Sequence, residues 1–245
     1  MQLDPMPAEA ELLASYEEAA SEDYVVEAPG QRATARRLLG RIEAHAKPGR
    51  ILDLGCWVGY FLDEARRRGW DPLGVEPSQF AARYAERELG LGVVHAGVLE
   101  ADLSEREFAA VFMGDVIEHV QAAGEAIARA RRSLAPGGVL ALVLPDAGSR
   151  VARLLGRRWW SVIPTHVHYF TRRSMATLLA RERLEVLEVG TAPKTFTVRY
   201  YLGRVGGYSE PAARAMIRGA EASRLADRLW GPDFRDRMLV IARPL

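Results

Sequence analysis

The run Ile51-Leu52-Asp53-Leu54-Gly55-Cys56-Trp57-Val58-Gly59-Tyr60-Phe61-Leu62 leads an apolar stretch into a turn with two glycines and then into a helix. Such a turn lets the backbone approach a ligand closely and aims the first helical N–H groups at it. Glu76 ends the next apolar stretch, within Gly74-Val75-Glu76-Pro77-Ser78. An acid so placed can accept both hydroxyls of a ribose. Gly55 and Gly59 alone would equally serve strand-to-helix packing; joined to Glu76 they point to a ligand that contains adenosine.

Two details separate the adenosine ligands. Asp53 stands two residues before Gly55, where it could meet the ammonium of a methionine moiety but would repel a pyrophosphate. The stretch Met113-Gly114-Asp115-Val116-Ile117-Glu118-His119-Val120 puts polar groups at the carboxyl edge of the sheet beside the first strand, the crevice where such folds bind ligands. The expected cofactor is therefore S-adenosylmethionine. Two rivals stay open: a nucleotide-dependent oxidoreductase, disfavoured because the glycines are not spaced G-x-G-x-x-G, and a binding module without chemistry.

Methyl transfer from a sulfonium is an in-line displacement that depends mainly on positioning. A histidine suits the base that a hydroxyl or ammonium acceptor needs at neutral pH. The candidates are His119, His166 and His168. His119 follows Asp115 and Glu118, so a carboxylate is expected to orient its ring and raise its pKa; the alternative is a histidine that caps a loop or helix start. His166 and His168 share a face if extended, and one of them is expected to line the acceptor site unless both make loop hydrogen bonds. Asp115, Glu118 and His119 have ligand types suited to Mg or Zn. Three ligands within five residues of a turn need not converge, and no metal is expected.

These residues need a scaffold. Short apolar runs at 50–54, 72–76, 91–95, 108–114, 137–144, 184–191 and 236–243 alternate with amphipathic stretches at 59–69, 78–88, 122–134 and 171–182, the pattern of a largely parallel sheet with helices on both faces. Helices are also predicted over 7–20 and 31–46. The first 46 residues read as a helical cap and 47–245 as the main domain, with long inserts at about 146–170 and 192–235 that suit lids or substrate loops.

The set LDLGCWVGYFL, GVEPS, DVIEHV and LAPGGVLALVLPD resembles the class I S-adenosylmethionine-dependent methyltransferases, especially the bacterial branch with ubiquinone-biosynthesis-like O-methyltransferases and methyltransferases of glycan and secondary-metabolite pathways. The resemblance runs from about Tyr16 to the end, its specific part between residues 50 and 146. It implies an α/β Rossmann-like, seven-stranded mixed sheet of order 3-2-1-4-5-7-6 with an antiparallel last strand, as a three-layer sandwich. It places Asp53, Gly55 and Gly59 around the methionine end, Glu76 on the ribose, Pro77 and Ser78 beside the adenine, and the Met113-Gly114 backbone at the sulfonium; Cys56 and Trp57 of the same turn are also expected to bind the cofactor. Trp57 stands where relatives usually have glycine, and positive φ there would strain it by roughly 1–3 kcal/mol. Val98 and Leu99 stand where many relatives place an Asp for the adenine amino group. Tyr24 or Arg32 is expected to touch the cofactor from the cap, and Lys194, Tyr200, Tyr201 and Tyr208 form a polar-aromatic lid candidate.

A chain of 245 residues, 49% hydrophobic and 27% charged, can enclose a core. A net charge of +1 gathers neither nucleic acid nor anionic lipid at long range. One cysteine excludes an intramolecular disulfide, and the acidic, proline-bearing start and short apolar runs argue against a signal peptide or membrane span. A cytoplasmic protein, monomer or homodimer, with a small-molecule acceptor and no nucleic-acid or membrane partner is expected. Only Lys47 and Lys194 are lysines among 33 basic residues, so the run Arg150, Arg153, Arg157 and Arg158 reads first as a solvated face. Trp159 and Trp160 are expected to pack with an edge in the pocket.

Overall fold

The computed structural model describes residues 23–103, 107–207 and 209–245, with side chains from Val25 onward. The helix predicted at 7–20, Tyr16 and Tyr208 lie outside the described residues, as does the side chain of Tyr24. In chain order the first elements are α1 (Asp23–Val26), α2 (Ala28–Ile42), β1 (Arg50–Leu54), α3 (Tyr60–Arg67), β2 (Asp71–Val75), α4 (Gln79–Leu89), β3 (Gly92–Val94) and β4 (Phe108–Gly114). There follow α5 (Ala123–Arg132), β5 (Leu134–Pro145), α6 (Arg150–Leu155), α7 (Arg172–Arg181), β6 (Leu184–Thr191), β7 (Phe196–Thr197), α8 (Val198–Arg204), α9 (Glu210–Ala222), β8 (Leu229–Trp230) and β9 (Arg237–Pro244).

The main sheet has the order β3-β2-β1-β4-β5-β9-β6. Its seven strands are the seven apolar runs, with β9 antiparallel to both neighbours and β1 to β5 parallel. Side chains alternate across a strand, so β1 feeds two cores: Ile51 faces Leu39, Ile42, Phe61 and Phe112, while Leu52 and Leu54 face Met113, Ile127, Leu140 and Met175. Helices cover each face, as the near-continuous apolar strands require.

Register fixes what meets at the sheet's carboxyl edge. Asp53 pairs with Gly74 on one side and Phe112 on the other, and Leu54 pairs with Val75. The next residue or two along each strand therefore brings Gly55, Glu76 and Gly114 to one edge. Two caps make the strand-to-helix turns abrupt: Gly59 ends the first turn at φ 84°, and the Ser78 hydroxyl accepts the Ala81 N–H at the start of α4.

The inserts are more ordered than a loop. Residues 192–235 supply the β7–β8 pair and helices α8 and α9. The buried Glu27 carboxylate accepts the Thr197 N–H at 2.9 Å and the Thr197 hydroxyl at 2.7 Å, and Thr195 N–H donates to Thr34 Oγ1 at 2.8 Å. These bonds join the N-terminal segment to the late insert over the sheet edge. Helix α9 buries Ala213 and Ala220 and half-buries Ile217, while Met216 is exposed and Leu225 and Leu229 are exposed beyond the helix.

Candidate functional site

A cavity of about 340 Å³ opens at the carboxyl edge of β1 and β4. It is lined by Asp53 and the turn from Gly55 to Phe61, and by Gly114, Asp115, His119, Lys194 and Arg237. Leu38 of α2 and Phe112, Val143, Ile163 and Phe196 complete mostly apolar walls. Phe61 and Phe112 stack with centroids 4.0 Å apart.

Glycine is required in the turn. Gly55 has φ 82° and Gly59 φ 84°, conformations that side-chain-bearing residues rarely adopt. Trp57 adopts φ 50° between them, so the strain foreseen at this position, roughly 1–3 kcal/mol, is present. The turn places the Trp57 N–H 2.8 Å from Glu76 Oε2. Glu76 Oε1 accepts the Ser78 N–H at 2.9 Å, and the carboxylate is 0% exposed. Glu76 thus closes the turn against β2, and both its oxygens already take a backbone amide.

Asp53 is 3% exposed, and its Oδ1 has no hydrogen-bond partner. Burial, and then the charge of Glu76, push its pKa well up. A buried acid with an orphaned oxygen at the wall of a cavity fits an ammonium ligand, which would supply both the missing bond and the missing charge. Cys56 also lines the cavity, but its thiol packs against Gly74, and burial pushes its pKa well up. It is a filler of the turn rather than a nucleophile.

Several expected cofactor residues lie elsewhere. Among the described residues lining the cavity, Glu76, Pro77, Ser78, Val98, Leu99 and Met113 are missing. Val98 and the fully buried Met113 belong to the core, with Leu99 packed against it, so only Gly114 of the Met113-Gly114 pair meets the cavity. Pro77 offers its carbonyl to His95 Nε2–H at 2.7 Å, a neighbour that sequence spacing does not single out. Arg32 does not reach the cavity: it bonds Asp63 at 2.5 Å and Glu64 at 3.0 Å and lies over the Tyr60 ring. Two carboxylates and one ring face on a single helix hold that guanidinium in place.

The histidines divide by role. His119 lines the cavity; its Nδ1–H donates to the Thr165 carbonyl at 2.9 Å, which leaves Nε2 as the basic nitrogen. Its pKa is lowered, chiefly by burial, which outweighs the Thr165 bond and the Asp115 charge. The expected upward shift is therefore reversed. His166 sits behind His119 with ring centroids 4.6 Å apart, its Nδ1–H on the Ser161 carbonyl at 2.8 Å. Burial and then the neighbouring His119 bring it down to about 4. His168 turns away, donating to the Gln121 carbonyl at 3.0 Å and lying against Phe170. The two do not share a face toward the cavity, because the backbone here is anchored by Val167 N–H and His168 N–H on the Glu118 carbonyl.

Glu118 is 2% exposed, with both carboxylate oxygens unpartnered. Burial, and then the Asp115 charge, push it up to about 8. Polar atoms of Glu118, His119 and His166 lie within 4.8 Å of one another, close enough to share a proton or a cation. Asp115 is not part of this group. It holds φ 59° and is clamped by Lys194 Nζ at 2.7 Å and by Arg237. Burial would raise its pKa, but the Arg237 and Lys194 charges outweigh that and hold it well below the usual carboxylate range. Arg237 was not foreseen from the sequence.

Trp159 and Trp160 stay out of the cavity. Trp159 is buried with Nε1–H on Asp236 at 3.2 Å, and Trp160 is exposed beside Phe234. Arg150, Arg153, Arg157 and Arg158 are exposed, a solvated face.

A parallel sheet with this strand order, an antiparallel final pair and a glycine turn facing a buried acid defines the class: a Rossmann-like α/β protein of the methyltransferase type. The chain belongs to the methyltransferase domain family, whose model matches residues 29–192. It is similar to a ubiquinone biosynthesis O-methyltransferase of Nitrobacter winogradskyi, 30% identical over 116 residues, 46% of this chain and 41% of that protein. Its similarity to the enzyme of that name from Alkalilimnicola ehrlichii is 30% over 145 residues, covering 54% and 59%. The matches thus span about half the length of these curated relatives. Among solved structures, a SAM-dependent methyltransferase from Archaeoglobus fulgidus has a TM-score of 0.61 at 18% identity, over 91% of this chain and 99% of that one. Magnesium protoporphyrin IX methyltransferase from Synechocystis PCC 6803, solved with bound SAM, has 0.55 at 12%, over 88% and 80%. No helix among the described residues is long and apolar enough to cross a membrane.

Proposed function

We propose that this chain is an S-adenosylmethionine-dependent methyltransferase acting on an oxygen or nitrogen of a small-molecule acceptor, sugar and glycan precursors among them. The observation that carries this reading is the orphaned Asp53 Oδ1 at the wall of a cavity that His119 also lines. When bound, the cofactor supplies an electrophilic methyl on a sulfonium. Asp53 would hold its ammonium and the Gly55–Gly59 backbone its methionine end. The apolar walls exclude water from the methyl's path, and His119 Nε2 takes the acceptor's proton when one must leave. The family match and the relatives' names support the reading.

Isothermal titration with S-adenosylhomocysteine and with NADH tests the donor. Tight binding of the former with none of the latter is the expected result, and preference for NADH would reverse the reading. Labelled methyl transfer in extracts of the source cell then separates an enzyme from a binding module.

A further inference from the structure

Donor binding gives the Glu118 carboxyl no task, yet neither of its oxygens has a hydrogen-bond partner among the described residues, and the residue is 2% exposed. Buried polar groups are seldom left so in a folded chain. The main chain of Glu118 is firmly held: its carbonyl accepts the Val167 N–H at 2.9 Å and the His168 N–H at 3.1 Å. These bonds tie the turn after β4 to the connection between α6 and α7. His119 belongs to that turn and His166 to that connection, and polar atoms of all three side chains lie within 4.8 Å of one another.

The hydrogen-bond roles of the two rings are fixed. Nδ1–H of His119 goes to the Thr165 carbonyl and Nδ1–H of His166 to the Ser161 carbonyl, so each ring keeps only Nε2 as an acceptor. The three side chains thus offer one another a carboxylate and two lone pairs, with no donor among them until a proton is bound. Charged groups act on them from three other positions: Asp115 beyond β4, Lys194 between β6 and β7, and Arg237 on β9. Burial and Asp115 oppose ionisation of Glu118, Arg237 and Lys194 favour it, and burial wins. Asp115 is itself paired with Lys194 and Arg237, and none of the three donates to Glu118. On the far side of His166 stands the Tyr169 ring, centroids 6.4 Å apart.

We propose that Glu118 is a positioning residue for the proton-transfer step: it shares one proton with His166, and this neutral pair braces the His119 ring as base. This deepens the methyltransferase reading and rests on it. Donated to Nε2 of His166, the shared proton gives the carboxyl its missing partner and leaves the His119 lone pair to the acceptor. The edge-on contact of the two rings, with centroids 4.6 Å apart, carries the support to His119. In the transfer, an acceptor oxygen lone pair forms the new C–O bond as the methyl–sulfur bond breaks, its electron pair passing to sulfur. The O–H proton goes to Nε2 of His119, and the imidazolium stands beside a carboxyl instead of an apolar wall. That proton returns to water once the product leaves.

Histidine-selective 15N NMR of the full chain, from about pH 5.5 to 9.5, tests the proposal, with the rings assigned from single His→Gln variants. The His119 and His166 signals should show Nδ1–H rings and shift together in one step near pH 8. Glu118→Gln should abolish that step and Glu118→Asp, which keeps an acid, should retain it, while the His45 and His95 signals stay the same in all three proteins. If Glu118→Gln does not fold, His166→Gln decides: its amide N–H can donate to the carboxylate, so the step seen at His119 should move to lower pH by at least half a unit. Rings that shift at separate pH values, a step that survives Glu118→Gln, or one unmoved by His166→Gln overturns the proposal. So do wild-type spectra altered by EDTA, which would put a cation where the proton is placed. The titration contains no donor, so its failure is distinct from a failure of S-adenosylhomocysteine to bind.

Discussion

Replacing Gly55 by alanine would test the geometry of the turn most directly. Gly55 has φ 82°, and a Cβ added there would overlap the Val116 Cγ2 methyl at well under 3.0 Å. The left-handed conformation costs an L-residue about 1–2 kcal/mol, and overpacking adds about 1–3 kcal/mol. The variant should therefore lose about 2–5 kcal/mol, which for a domain of this size lowers Tm by roughly 5–15 °C. The two contributions can be separated. Val116→Ala removes the obstructing methyls and, because Val116 is only half-buried, should itself cost about 1 kcal/mol. In the double variant the overlap disappears and the dihedral cost remains, so a double-mutant cycle should give a favourable coupling of about 1–3 kcal/mol. Thermal unfolding of the four proteins measures this, and titration with S-adenosylhomocysteine should show at least a tenfold loss for Gly55→Ala. A single variant with unchanged Tm and affinity, or a cycle with no coupling, would refute the argument.

Two other substitutions have distinct signatures. Asp53→Asn removes a buried acid whose ionised form is disfavoured, so Tm at pH 8 should rise while S-adenosylhomocysteine affinity falls at least tenfold; a loss of both would show that Asp53 is structural. Glu118 holds its proton up to about 8 in the fold, whereas the unfolded chain releases it near the ordinary value of about 4.5. Between those limits the unfolded state binds fewer protons, so this residue makes stability fall as pH rises. His166, held down to about 4, works the other way: from about 6.5 to 4 the unfolded chain binds more protons, and stability falls on acidification. The slopes oppose each other between about 4.5 and 6.5, so Glu118 dominates the pair between about 6.5 and 8. Glu118→Gln should reduce the fall in Tm across that upper window, and a variant curve parallel to wild type would remove the buried acid from the account.

The glycine turn was readable because it is local. Asp53, Gly55, Trp57 and Gly59 lie within seven residues, and a strand-to-helix turn places them by its own covalent geometry; even the strain at Trp57 follows from its being where glycine is usual. The seven apolar runs likewise defined the strands, since strands buried on both faces must be apolar throughout. The expectations failed where a side chain had more than one place to go. Val98 and Met113 are near the site in sequence, but their side chains point into the core, and Arg32 found Asp63 and Glu64 instead of the cavity. His166 and His168 parted because the Glu118 carbonyl, 48 to 50 residues earlier, anchors the intervening backbone.

What the amino-acid order determined by itself was the alternation of strand and helix and the glycine turn with its acid, because backbone sterics and side-chain periodicity act over a few residues. Only the tertiary structure decided the charged group beside it. The Asp115–His119 turn, Lys194 and Arg237 are three separate segments, and their meeting depends on β9 inserting between β5 and β6 and on the late insert closing against the N-terminal helix. Charge pairing across such distances leaves no spacing to read, since the loops between can vary in length at little free-energy cost.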